Sequence, residues 1–332
     1  MSELLNHQDG LEVEVELENE IARLEAQLVE AKERLSSKKG ATNPNTDPRQ
    51  QHGQRHISSE SASHTPVPIT PTPSSRGTPL DLSSQHYLLL LSDSALPLGS
   101  FAFSSGLESY LAHGRSSNHS STTTTSNHYK PTFSSFLPLS LSSYASTSLP
   151  FTLAAHRDPS ALSDLDDVLD ASIICTVGRR ASIAQGRALL SIWEKSFSHP
   201  QTIATTTQGQ EKATSVKLLV EFSSLLRKSQ VSAHLAPLFG AVSANLGLSL
   251  RQTAYVFLLS HAKALASAAV RAGVFGPYQA QKVLASAATQ ELLADLVEKH
   301  WDVPFEEAGQ SVPVMDLWIG RHEMLYSRIF NS

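Results

Sequence analysis

Across residues 84–332, apolar positions recur every three to four residues, the spacing of an amphipathic helix. The stretch 87–91 is apolar and short. Residues 106–113 place Leu107, Tyr110 and Leu111 on one side, with Gly114 as a stop. Over 170–193, Ile174, Val177, Ala181, Ala184, Ala188 and Ile192 form an i, i+3, i+4 stripe, and 216–226 continues in kind. Ser249 is a suitable N-cap for a helix reaching Arg271, with Gly273 just beyond its end. Gly276 and Pro277 open a further helix that can run to about His300. The helix after Ser249 carries Ala262, Ala264, Ala266, Ala268 and Ala269. Small residues permit close helix approach, so it is placed near the centre of the bundle. No segment alternates like a strand. The expected fold is all-α, a single helical bundle.

The first 83 residues are too polar to join that bundle. Within 11–35, Leu17, Ile21, Leu24, Leu28, Ala31 and Leu35 repeat in steps of four and three, the seam of a short coiled coil or one side of a solvated single helix. Residues 36–83 are rich in Ser, Thr, Pro and Gln, with Pro66, Pro68, Pro71 and Pro73 close together. Such a segment cannot offset its ordering entropy by burial and reads as a disordered linker. The domain expected over 84–332 carries low-complexity inserts near 115–130 and 196–210, where added loop length costs little.

Composition narrows the function classes. A net charge of -5 with no basic block gives no footing for nucleic acid. No apolar run approaches the roughly 20 residues of a membrane span, and the acidic start lacks the pattern of a secretory signal. The single cysteine, Cys175, fits a reducing compartment, so the cytoplasm is the expected location. His322 and Glu323 begin like a zinc-protease helix, but the second His is absent. His113, His119 and His128 read as loop residues, and His234 and His261 as packing residues. The acids Asp164, Asp166 and Asp167, and the pair Glu306 and Glu307, read as solvated surface. No G-x-S-x-G elbow surrounds Ser104 and Ser105, and no phosphate loop or dinucleotide fingerprint is present. No catalytic and no metal-binding residue is assigned.

One segment is unusual for a plain connection. Residues 96–108 (LPLGSFAFSSGLE) place Pro97, Gly99, Phe101, Phe103 and Gly106 between two helices. Pro97 is expected to end the preceding helix, and Gly99 permits an unusual turn. Ser104 or Ser105 can cap the next helix, with Glu108 at capping-box distance from Ser105.

Residues 88–108 (LLLLSDSALPLGSFAFSSGLE) resemble the N-terminal signature of the urease accessory protein F (UreF) family. Two further segments follow in the family's order. Residues 180–190 (RASIAQGRALL) are similar to its Ser-x-x-x-Gly-Arg-x-Leu helix. Residues 315–330 are similar to its closing segment, with His-Glu, then Tyr-Ser-Arg, an aliphatic residue and Phe. Residues 268–277 also fit its Ala-x-Arg-x-Gly region. The first 83 residues and the insert after Gly114 have no counterpart in the family core, and Ser100 stands where the family often has a second Gly.

The resemblance implies an all-helical homodimer that binds a UreD/UreH-type accessory protein and recruits the GTPase UreG. Together they deliver nickel to apo-urease. Such a protein is not an enzyme and binds no cofactor directly, with nickel and GTP handled by its partners. It has been likened to a GTPase activator, which would call for an arginine at the GTPase site; Arg187 and Arg271 are the candidates. The face toward the GTPase, or a passage for nickel, is expected around Pro97, Gly99, Phe101, Ser105, Gly106 and Glu108. Glu108, the one charge in that segment, is expected to be exposed. The apolar C-terminus must pack on the bundle or be covered by a partner. Trp318, His322, Glu323, Tyr326, Arg328 and Phe330 are the residues expected to meet the UreD/UreH-type protein. A helical enzyme or cofactor-binding bundle, or a coiled-coil adaptor unrelated to urease, is the alternative from composition alone.

Overall fold

The computed structural model describes residues 82–116, 132–198 and 207–331. Among them are eleven α-helices and no strand. In chain order these are α1 (Leu82–Ser92), α2 (Leu107–Ser116), α3 (Phe133–Arg157), α4 (Leu162–Ser172), α5 (Thr176–Ile192) and α6 (Thr207–Arg227). They continue as α7 (Leu235–Asn245), α8 (Leu250–Arg271), α9 (Pro277–Leu284), α10 (Ala287–Lys299) and α11 (Val314–Arg321). The proposed 11–35 helix and its linker lie outside the described residues, except that α1 begins at Leu82, inside the stretch read as linker. So does most of each insert, although α6 begins at Thr207, inside the stretch read as the second insert.

The bundle is organised around α3, which packs chiefly on α7 and α8. The sequence pattern gave no sign of α3, because it holds Pro138, Pro150 and many serines. Thr132 caps its start by accepting the Ser135 N–H at 3.2 Å. Pro150 has no N–H to offer the Ser146 carbonyl four residues earlier. Gly309 N donates to that carbonyl instead, at 3.1 Å. The helix defect thus becomes a fastening for the C-terminal segment, reinforced by Ser146 Oγ donating to Ser311 Oγ at 2.9 Å.

Glycines set the spacing of the central helices. A Cβ on Gly240 of α7 would overlap the Thr152 carbonyl of α3, and one on Gly186 of α5 would overlap the Ala233 carbonyl. These are backbone contacts, which no side-chain rotation relieves.

Several helix boundaries differ from the pattern reading. The stripe over 170–193 is two helices, α4 and α5, and Ile174 in the link between them is 90% exposed. The stripe was therefore out of phase: α5 buries Val177, Gly186, Leu189 and Leu190. The helix from Pro277 stops at Leu284 and restarts behind the cap of Ser286. Gly114 lies inside α2. α1 ends at Ser92, five residues before Pro97, in a turn where Asp93 Oδ1 accepts from Ala95 N at 3.0 Å. Contrary to the expectation that no run could span a membrane, α8 is long and apolar enough by composition to do so. Here its apolar positions form core against α3, α7 and α9. Its full capping box, Ser249 with Gln252, matches the predicted start.

Asp166 also departs from the reading as surface. It is 1% exposed, because it shares the i, i+3, i+4, i+7 stripe of Leu162, Leu165 and Leu169. Its carboxylate accepts from the backbone N–H groups of Ser232 (2.8 Å), Ala233 (3.0 Å) and His234 (2.6 Å). Three donors plus the positive end of α7 meet the buried charge. They also hold Ala233 at φ +65, a conformation costly for a residue with a Cβ.

Two outcomes follow for stability. Gly240→Ala should lower the thermal midpoint strongly, at a cost of about 3 kcal/mol or more, because two helix backbones must separate; an unchanged midpoint would contradict the packing. Burial lowers His261 of α8 to about pKa 4. The unfolded chain therefore binds more protons between that value and the unperturbed 6.5 or so, and stability falls as pH drops through this window. Urea titrations at about pH 7 and pH 5 should show His261→Phe losing less stability than the parent, by about 2 kcal/mol.

Candidate functional site

The turn between α1 and α2 is built around left-handed residues. Gly99 has φ +74 with open space where a Cβ would stand, so backbone conformation alone favours glycine there. Ser105 at φ +50 and Gly106 at φ +87 make a second reversal. At Gly106 space matters too: a Cβ would sit 3.0 Å from Ile319 N and 3.1 Å from the Trp318 carbonyl carbon. This contact brings α11 onto the start of α2.

Glu108 lies at that junction, and it is buried rather than exposed, at 9%. It does not form a capping box with Ser105. The buried Ser104 Oγ accepts the Glu108 N–H at 3.4 Å, while the Glu108 side chain turns to the C-terminal tail. Its carboxylate accepts from His322 Nε2 (3.0 Å), Ile329 N (2.7 Å) and Phe330 N (3.2 Å). His322 is fully buried, and its Nδ1 has no partner. Donation from Nε2 with an unprotonated Nδ1 avoids a buried N–H without an acceptor. Asn331 N adds a bond to the Ala102 carbonyl at 2.8 Å.

The two segments singled out from opposite ends of the domain are thus one site. Arg271 of α8 closes it. Its guanidinium donates to the Phe101 carbonyl and lies 4.3 Å from the centre of the Phe330 ring, which is buried. Arg271 is solvent-facing but already engaged in holding the turn to the tail. Arg187 sits elsewhere: its Nε donates to the Ser232 carbonyl at 3.2 Å, beside the Asp166 anchor. Ser100 Oγ donates to Gln185 Oε1 of α5 at 2.8 Å, a contact that no motif announced. Arg180 pairs with Glu323 on the surface, where such pairs add little stability.

Around the anchor, several large apolar side chains are exposed among charged ones. Phe101, Leu317, Met324, Tyr326 and Ile329 are each more than half exposed, and Tyr326 is wholly so. Pro97, Glu323 and Arg328 are also exposed. Trp318 is half-buried, its ring edge-on to Tyr110 at 5.5 Å. The tail therefore does both things the sequence left open. His322 and Phe330 close the core, and of the residues between them all but the half-buried Leu325 face outward.

One constellation imitates a catalytic triad. His234 Nδ1 is 3.0 Å from Ser182 Oγ, and its Nε2 is 2.8 Å from Asp170 Oδ1. His234 is fully buried, and its nitrogens are placed the reverse of a triad's, with Nδ1 toward the serine and Nε2 toward the aspartate. Ser182 Oγ also accepts the Leu235 N–H, at 3.3 Å, which makes the trio a brace at the start of α7. Burial opposes the charge of Asp170, but hydrogen bonds from Arg179 and His234 prevail and hold it below the usual carboxylate range. No group of three or more His, Cys, Asp or Glu residues suited to a metal occurs among the described residues.

Comparison with known proteins settles the family. A model described as UreF matches residues 128–288. A UreF-like urease accessory protein of Schizosaccharomyces pombe is 40% identical over 74% of this chain and 97% of its own length. The chain belongs to the UreF family. Urease accessory protein 6 of Cryptococcus neoformans is 27% identical over 74% of this chain and 96% of its own. Urease accessory protein F of Oryza sativa subsp. indica is 30% identical over 75% of this chain and 84% of its own. The family-model match takes in α3 to α9 and lies between the two segments that meet at Glu108. The UreF resemblance and the all-α fold therefore stand. The exposed Glu108 does not, because its carboxylate serves the chain's own tail.

Replacing Glu108 with Ala should release the tail. Hydrogen exchange at the amides of Ile329 and Phe330 should accelerate by an amount equivalent to about 2–3 kcal/mol of lost protection. Glu108→Gln should not rescue it, since its NH₂ would face donors. Unaltered exchange in both variants would show that the tail is held by Phe330 packing alone.

Proposed function

We propose that this UreF-family chain is a non-enzymatic scaffold for urease maturation, acting in the cytoplasm as a homodimer. Its outward-facing tail residues bind a UreD/UreH-type accessory protein. The neighbouring turn, with Pro97, Gly99 and Phe101, forms part of the face that receives a UreG-type GTPase. Nickel and GTP are handled by those partners, and the product is nickel-loaded urease.

The observation that carries this reading is the joining of turn and tail at Glu108. It leaves Leu317, Met324, Tyr326 and Ile329 exposed on a segment whose backbone is fixed. A prearranged apolar surface loses little entropy on binding, and aromatic residues such as Tyr326 dominate interface energetics. The same geometry changes the part given to Arg271. Its guanidinium secures the Phe101 carbonyl, so it supports the GTPase-facing turn.

Pull-down with a UreD/UreH-type protein, read beside urease activation in cells lacking this chain, tests the reading. Met324→Ala with Tyr326→Ala removes exposed side chains and should leave folding intact. It should weaken capture about tenfold or more and reduce activation in step. Capture at parental strength by this variant and by a truncation after Gly320 would refute the assignment of the tail.

A further inference from the structure

Beside the signature turn, the bundle forms a partly open cavity of about 420 Å³ that no motif foretold. α3, α5, α8, the turn and the 308–319 segment supply most of its wall. Eight serines, one threonine and Tyr144 line it. Asp316 is the only Asp, Glu, Lys or Arg among the described lining residues, and its Oδ1 already accepts from Gln310 Nε2 at 3.1 Å.

Three aromatic rings stack in this wall. Tyr144 lies face to face with His261, centroids 4.0 Å apart at 11°, and with Phe257, 4.9 Å apart at 19°. Burial keeps the Tyr144 phenol protonated far above its usual range and holds His261 down to about 4. Both rings are neutral at ordinary pH. His261 Nε2 is paired with Ser140 Oγ at 3.0 Å. The hydroxyls of Ser143, Tyr144 and Ser260 have no hydrogen-bond partner among the described residues. Leu169, Phe239, Met315 and Ile319 add apolar surface to the wall.

This wall selects by charge. An anion entering it would give up hydration and meet no cation. A fully apolar occupant would strand the three free hydroxyls, at the expense of their bonds to water. We propose that the cavity is a binding site for a small uncharged planar molecule with a hydrogen-bonding edge, the chemical class of an aromatic amide. The hydroxyls serve the edge, and the aromatic and aliphatic wall serves the flat face. The inference does not rest on the maturation role, since it uses only the wall of the cavity.

Three probes of one shape and different charge test it: benzamide, benzoate and benzamidinium. Ligand-observed NMR titration of the full-length protein should show saturable benzamide binding at roughly millimolar affinity, as expected for so small a ligand. Benzoate and benzamidinium should bind at least about tenfold more weakly. Ala264→Leu, which fills the cavity, should abolish the benzamide signal, and Ser260→Ala should weaken it, with the circular dichroism spectrum unchanged in both. Preference for benzamidinium would overturn the proposal in favour of a cation site at Asp316. Benzamide binding unaltered by both variants would mean adventitious surface binding, and an absence of saturation would mean a cavity that holds only solvent. Either result also overturns the proposal.

Discussion

A carboxylate removed from water must have its charge met, and Glu108 meets this demand with donors from another part of the chain. Three come from the tail: the His322 ring and the Ile329 and Phe330 amides. Leaving even one buried partner unmet costs about 1–3 kcal/mol, so the order of the turn and that of the tail are coupled. Gly106 fits the same arrangement from the packing side, since only a residue without a Cβ admits the α11 backbone at that distance. Arg271 fits it from the third side, above the Phe330 ring.

The rest of the bundle repeats this logic of internal compensation. Asp166 is buried, yet three backbone amides and a helix end receive it. Pro150 interrupts the ladder of α3, yet the freed carbonyl is taken by Gly309. A bundle assembled from alanines, glycines and serines brings helix backbones close together. It then relies on polar fastening where larger side chains would have filled space.

For the proposed assembly role, the relevant division lies within the tail itself. His322 and Phe330 face inward and set the backbone, and all but Leu325 of the side chains between them face solvent. A partner surface of this kind is prepared before binding, so its energy goes into contact and little into ordering. On that proposal, Arg271 and Glu108 act on the surface through the backbone they hold, without direct touch.

The sequence by itself determined the fold class, the start of α8 at its N-cap, and two unusual segments, which the structure shows meeting at Glu108. Each rests on local chemistry: helical period, cap identity and glycine-bearing turns. It also held the signal for Asp166, which shares the apolar stripe of α4, although acidity alone had suggested the surface. Only the tertiary structure decided that α3 is a helix, since two prolines and a serine run argue against one until neighbouring helices bury it and supply the missing donor. Only it decided that Glu108 points inward, because the donors that neutralise it lie more than two hundred residues away. Local patterns record what a segment can be. Which polar groups lie inside is settled by partners that the fold brings from elsewhere in the chain.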